Sequence, residues 1–211
     1  MSKIYSLSAI ILAGGQSSRM GRDKALIPLE GVPLLQHICE VALHCASPVY
    51  VVTPCPEKYK HILPETCLII QEFPLLGETE SHGPLVGFAQ GLTQVETDWV
   101  LLLACDLPQL QRHILQDWAT ELENVPPEAI ALLSHQSKGW EPLCGFWRRQ
   151  SLPLLTNFIN QGGRSFQQFL AQHLVQELPV SDTQVFFNCN TPADLELLTH
   201  ATQSSVDGVD T

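Results

Sequence analysis

Four short apolar runs punctuate the first half of the chain: Ala9-Ile10-Ile11-Leu12, Val49-Tyr50-Val51-Val52, Leu68-Ile69-Ile70 and Trp99-Val100-Leu101-Leu102-Leu103. They are nearly continuous in hydrophobicity rather than alternating, as expected of parallel strands covered on both faces. Between them the apolar positions take up helical spacing. Pro33 can open a helix in which Leu34, Leu35, Ile38, Val41, Ala42 and Cys45 form one stripe, leaving Gln36, His37 and Glu40 outside. Pro84 to Thr93 and Gln111 to Glu123 are further helix candidates. Strand and helix in alternation predict βαβ units, hence a doubly wound, mostly parallel α/β sheet with helices on both faces.

The pattern changes after about Ser134. Pro142 to Trp147 reads as a strand, Leu152 to Asn160 and Phe166 to Leu174 as helices, and Val175 to Leu178 and Val185 to Phe187 as short strands. Thr191-Pro192-Ala193-Asp194 supplies an N-cap, a proline at the first helical position and the acid of a capping box for a last helix to about His200. No internal repeat or linker divides the chain. The expectation is one domain over 1–201, made of a half at about 7–134 and a half at about 135–201, and a flexible tail at 202–211.

The 211 residues carry 22 acids against 11 bases, a formal charge of -11 that disfavours nucleic acid and anionic membranes as partners. The charge is uneven. Eleven acids and one base, Arg112, lie between Glu65 and Glu128, whereas Arg19, Arg22 and Lys24 surround the single acid Asp23. A basic spot on an acidic protein suits a small anionic ligand. The seven cysteines show no C-x-x-C and no zinc spacing, so they read as reduced, mostly buried thiols. Met1 to Leu12 lacks the features of a signal peptide, and no apolar stretch reaches the roughly 20 residues of a membrane span. A cytoplasmic location is expected.

The first strand runs into Leu12-Ala13-Gly14-Gly15-Gln16-Ser17-Ser18-Arg19-Met20-Gly21-Arg22-Asp23-Lys24. This string has neither a P-loop nor a dinucleotide-binding G-x-G-x-x-G, yet its parts are those of a phosphate cradle. Gly14 and Gly15 let backbone N–H groups approach oxygens, Arg19 offers a planar fork, and Lys24 a compact charge. Asp106 ends the most hydrophobic strand, followed by Pro108; a carboxylate beyond that strand end suits Mg²⁺, which takes one or two carboxylates plus substrate phosphates.

The string L-A-G-G-x-x-x-R-M-G-x-D-K resembles the signature of the nucleotidyltransferases that move a nucleoside monophosphate from its triphosphate onto a phosphate. Gly83-Pro84-Leu85-Val86-Gly87, Cys105-Asp106-Leu107-Pro108 and Phe187-Asn188-Cys189-Asn190-Thr191-Pro192-Ala193-Asp194-Leu195 narrow it to a resemblance to the molybdenum cofactor guanylyltransferases, the MobA-like family, over roughly residues 7–198. The resemblance implies a Rossmann-like fold, GTP and molybdopterin as substrates, and transient contacts with other cofactor-assembly proteins. It implies Leu12, Ala13, Gly14, Gly15, Lys24, Thr53, Glu72, Gly83 and Asp106 as nucleotide-binding residues. Arg19, Lys24 and Asp106 would be catalytic, with Mg²⁺ on Asp106; Arg164, Asn188 and Asn190 would meet the acceptor. Thr53 and Glu72 stand where relatives often carry Asn and Asp, and Glu141-Pro142 where many have His-Pro. CTP or a sugar 1-phosphate as substrate, and a non-catalytic nucleotide-binding regulator, are the alternative readings.

Overall fold

In the computed structural model, residues 6–14, 23–75, 77, 83–189 and 194 are described. Arg19, Gly15, Asn190 and the Thr191–Pro192 cap fall outside them. The elements in chain order are β1 (Leu7–Leu12), β2 (Pro28–Leu29), β3 (Val32–Pro33), α1 (Leu34–Leu43), β4 (Val49–Thr53), α2 (Pro56–Tyr59), β5 (Cys67–Gln71), α3 (Pro84–Leu92) and β6 (Trp99–Ala104). There follow α4 (Arg112–Thr120), β7 (Ala131–Gln136), β8 (Gly139–Arg148), α5 (Leu152–Asn160), α6 (Phe166–Leu170) and β9 (Val175–Glu177).

The four predicted apolar runs are the parallel strands β1, β4, β5 and β6 of a seven-stranded sheet with order β5-β4-β1-β6-β8-β7-β9. The order reverses direction at β1, which lies between β4 and β6. β1, β4 and β6 are covered on both faces, which is why they are so apolar, whereas the edge strand β5 leaves Leu68 half exposed. Ala9, Ile11, Val49, Val51, Leu101 and Leu103 face α1 and α4, while Ile10, Val52, Val100 and Leu102 face α3, α5 and α6. Trp147 on β8 packs against Phe88 of α3 and Phe166 and Phe169 of α6 with ring centroids 5.1, 5.4 and 6.4 Å away, joining two helices to the sheet. Each such side chain contributes about 1.5–3 kcal/mol on burial.

The second half departs from the sequence reading in four places. β7 is a strand that the element pattern passes over, although Ile130-Ala131-Leu132-Leu133 is as apolar as β4. β8 begins three residues before Pro142 and runs antiparallel between β6 and β7. Proline is tolerated there because Pro142 lies beyond the last β6 pair, Leu103↔Cys144, and at a bulge between the Leu133↔Gly145 and His135↔Trp140 pairs. The predicted strand at Val185–Phe187 is instead a 3₁₀ turn, Thr183–Phe186, capped by Asp182, whose carboxylate accepts from Gln184 N at 2.9 Å. Val185 and Phe186 are both buried, which an alternating strand would not allow, and Phe186 stacks on Trp118. Helix α6 also stops at Leu170 rather than Leu174.

At the bulge, Gly145 sits where a Cβ would lie 2.6 Å from Leu133 Cδ2 and 2.9 Å from the Leu132 carbonyl oxygen. The second neighbour is backbone in the middle of the sheet and cannot step aside. Gly145→Ala should therefore cost about 1–3 kcal/mol as overpacking does, exceeding the roughly 0.5–1 kcal/mol that replacing a strand glycine returns. Urea denaturation of the variant checks this; a midpoint at or above wild type would contradict it.

Candidate active site

Strand β1 delivers its loop beside β6 because the two pair in parallel from Leu7↔Trp99 to Leu12↔Ala104. Ala13 N donates to Val52 O at 2.9 Å, continuing the pairing with β4, and Gly14 then turns away at φ 155°. A side chain is excluded at Gly14: a Cβ would lie 2.4 Å from Pro54 Cδ and 3.6 Å from Thr53 Oγ1. The glycine predicted as a cradle residue is thus also the point where the cradle seats on the end of β4.

The chain re-enters at Asp23. Its carboxylate caps a single 3₁₀ turn, Lys24–Leu26, with Oδ1 accepting from Ala25 N at 3.0 Å. That turn directs Lys24 across the sheet edge to Asp106, and Lys24 Nζ reaches Asp106 Oδ2 at 3.3 Å. The two side chains keep 23% and 15% of their exposure, so the pair is partly desolvated yet open to a ligand. Residues 82 apart in sequence, both predicted as catalytic, are therefore in contact. Behind Lys24, Glu30 at φ 50° and Gly31 at φ 86° turn β2 back into β3, as a tight hairpin demands. Ile27, Leu34 and Cys189 form a small core there, with Leu29 and Phe187 packed on it. Cys189 N donates to Asp106 O at 3.1 Å. The closing motif thereby ties the Asp106 turn to the Lys24 hairpin, with Asn188 nearby donating to Phe186 O at 3.1 Å.

Glu72 follows β5 and is 7% exposed, so it is not a solvated loop carboxylate. Glu72 N donates to Thr53 O at 2.8 Å, and Phe73 is clamped by Gln90, which accepts from Phe73 N at 2.9 Å and donates to Phe73 O at 2.7 Å. The Glu72 carboxyl carbon lies 3.3 Å from where a Gly87 Cβ would stand, so the glycine of the G-P-L-x-G string makes room for it against α3. Gly83, at φ 87°, precedes Pro84 at the start of that helix. Thr53 is fully buried and its hydroxyl accepts from Cys55 N at 3.2 Å. It supports Glu72 through its carbonyl. Gln90 has no motif that would single it out; a lone glutamine on an amphipathic helix becomes legible only once β5 is placed beside α3.

Arg164 does not join Lys24 and Asp106 directly. Its guanidinium donates to Ile159 O at 2.9 Å and Gly163 O at 2.8 Å, closing the end of α5. Its helix-turn lies next to α6, where Gln167 brackets Trp140 at the start of β8, hence at the edge to which β6 points. Arg148 and Arg149 belong to the opposite edge: Arg148 donates to Ala129, Val125 and Pro126 carbonyls and stacks on Trp99 at 4.2 Å, and Arg149 donates to Val95 O. All seven cysteines are free. Burial, with the neighbouring Asp106 charge, pushes the Cys105 thiol up to about 12, which removes it as a thiolate nucleophile.

One carboxylate in the site has a clear electrostatic setting. Burial alone would raise the Asp23 carboxyl, but the Lys58 ammonium, the Tyr59 hydroxyl and the Ala25 amide all donate to it and hold it below its ordinary 3.8. A carboxyl depressed in the folded state contributes stability that is complete above its unfolded value and is lost as pH falls through the folded one. Asp23→Asn should lower stability at pH 7 and flatten the decline below about pH 4. Thermal midpoints across pH 2.5–7 check it, and parallel wild-type and variant curves would contradict it.

The profile of the MobA-like NTP transferase domain matches residues 9–178. A relative from Nostoc sp. strain PCC 7120, named probable molybdenum cofactor guanylyltransferase, is 58% identical over 193 residues, covering 92% of this chain and 90% of its own. The molybdenum cofactor guanylyltransferase of Vibrio cholerae is 33% identical over 192 residues, covering 89% of each chain. Among solved structures, molybdopterin-guanine dinucleotide biosynthesis protein A from Archaeoglobus fulgidus superposes with a TM-score of 0.72 at 23% identity, over 93% of this chain and 99% of its own. A CMP:2-keto-3-deoxy-manno-octonic acid synthetase reaches 0.71 at 16% identity, over 95% and 99%, a likeness of fold alone. With Gly14, Lys24 and Asp106 at one sheet edge and this match over most of its length, the chain belongs to the MobA-like NTP transferase family.

Proposed function

We propose that the protein transfers GMP from GTP to the terminal phosphate of molybdopterin and releases pyrophosphate. The observation that carries this reading is the Lys24–Asp106 contact at the carboxyl edge of β1 and β6. A cation and an anion meeting where two parallel strands open their loops is what a metal–polyphosphate needs. The acceptor phosphate attacks the α-phosphorus in line, so the protein's task is alignment and charge neutralisation. Lys24, with Arg19, holds the leaving pyrophosphate; the backbone at Leu12, Ala13, Gly14 and Gly15 lines the triphosphate, and Gly83 borders the base. Glu72, buried against α3 with Thr53 behind it, supplies the acceptor that guanine's N–H donors select. Arg164, Asn188 and Asn190 receive the pterin side.

Among the described residues no three His, Cys, Asp or Glu side chains gather as a closed metal site. A single hard carboxylate at a partly open edge fits Mg²⁺, which takes few protein ligands and completes its shell with phosphate oxygens and water. Asp106 would hold it; when bound, it supplies Lewis-acid neutralisation of phosphate charge. No described helix is long and apolar enough to cross a membrane.

Pyrophosphate release with Mg²⁺, molybdopterin and each nucleoside triphosphate tests the reading. GTP should be preferred over CTP; equal or better turnover with CTP would move the protein to the cytidylyl alternative without changing the fold. Asp106→Asn should remain folded, retain weakened GTP binding and lose roughly a thousandfold in rate. Wild-type turnover in that variant at limiting Mg²⁺ would place the metal carboxylate elsewhere.

A further inference from the structure

Asp23 commits both carboxylate oxygens. Oδ1 caps the turn that carries Lys24, while Oδ2 accepts a 2.6 Å hydrogen bond from the Tyr59 hydroxyl and an ion pair from Lys58 Nζ. Both donors sit on α2, the helix that follows β4. On the other side of the loop, Gly14 lies against Pro54, at the start of the same connection. The residues flanking positions 15–22 therefore both bear on the segment 53–59.

We propose that Tyr59 is a positioning residue for Lys24: its hydroxyl fixes Asp23 to α2, and Asp23 in turn sets the turn that presents the lysine to Asp106. The inference rests on the reading of Lys24 as a polyphosphate contact. Tyr59 is 3% exposed and its ring belongs to the core beneath β1 and β4. An aromatic that merely filled this space would need no hydroxyl, yet the bond it makes is short and charge-assisted, about twice as strong as a neutral one. Burial and the Asp23 charge raise the phenol well above its ordinary value, so it stays a donor throughout the working range. Two links, Tyr59 to Asp23 and Asp23 to the Lys24 turn, connect a buried ring to the ammonium.

A double-mutant cycle in nucleotide affinity tests this. Mg²⁺–GTP dissociation constants, measured by calorimetry, and pyrophosphate release are compared for wild type, Tyr59→Phe, Lys24→Ala and the double variant. Tyr59→Phe should weaken GTP binding about fivefold and lower kcat further, since small misplacements at a reacting centre are costly. In the Lys24→Ala background the same replacement should change GTP affinity less than twofold. Equal factors in both backgrounds, or no change in the wild-type background, would reduce Tyr59 to core filling. Lys58→Met removes the other Oδ2 donor without touching the core and should give a smaller loss, again abolished by Lys24→Ala; a loss that persists would equally overturn the proposal. Unweakened GTP binding by Lys24→Ala would refute the nucleotide reading of the lysine itself, and the positioning role with it. A weakened Lys24→Ala beside an unchanged Tyr59→Phe refutes the positioning role alone.

Discussion

The parallel pairing of β1 with β6 is the constraint on which the site depends. Leu12 faces Ala104 in the last pair, so Gly14 and Asp106 each stand two residues beyond the same rung. A slip of one residue would turn Ile10 and Ile11 to the opposite faces and separate the two loops. Nothing local to either loop can achieve their meeting. The side chains that hold the register are the ones that look least functional: Ala9, Ile11, Leu101 and Leu103 on one face, Ile10 and Leu102 on the other.

Around this rung the acidic chain brings its charges together in a graded way. Lys24 meets Asp106 directly, and Asp23 is turned away from that pair and occupied by α2. Were Asp23 not so occupied, a second carboxylate beside Lys24 would compete for its ammonium and repel phosphate. On the other side of β1, Glu72 is placed by the backbone bond of its N–H to Thr53 and by the Gln90 clamp on the next residue. The Glu72 carboxylate lies against Gly87 of α3, where only a glycine leaves it room.

What the sequence made legible follows from how local each signal is. Four parallel strands and the helices α1, α3, α4 and α5 could be read directly, because continuous apolar runs and helical spacing are local signals. β7 escapes the pattern because its run falls where the alternation of strand and helix breaks down, and Pro142 argues against an earlier start of β8 unless a bulge is known. Val185 and Phe186 read as strand because both are β-formers; their burial against Trp118 is a tertiary fact. Asp23 drew attention only as the lone acid in a basic patch. Its partner Tyr59 carries no motif, and only the return of β4 beside β1 brings the two together. The adjacent charges of Arg148 and Arg149 are equally conspicuous in the sequence, yet backbone carbonyls at the far edge occupy them.

The small core of Ile27, Leu34 and Cys189 has a consequence for how the protein is made. Synthesis proceeds from the amino end and domains tend to fold as they emerge. β1, β4, β5 and β6 can pair once Ala104 has left the ribosome, so a sheet with Gly14 and Asp106 at one edge can precede the rest. The hairpin behind Lys24, however, lacks its apolar lid until Phe187 and Cys189 are added, and Asp106 O lacks its donor until the same moment. A nascent chain can thus have its sheet before its lysine is firmly seated. Firm seating of Lys24 beside Asp106 waits on residues more than 80 positions beyond the strands that bring the two loops together.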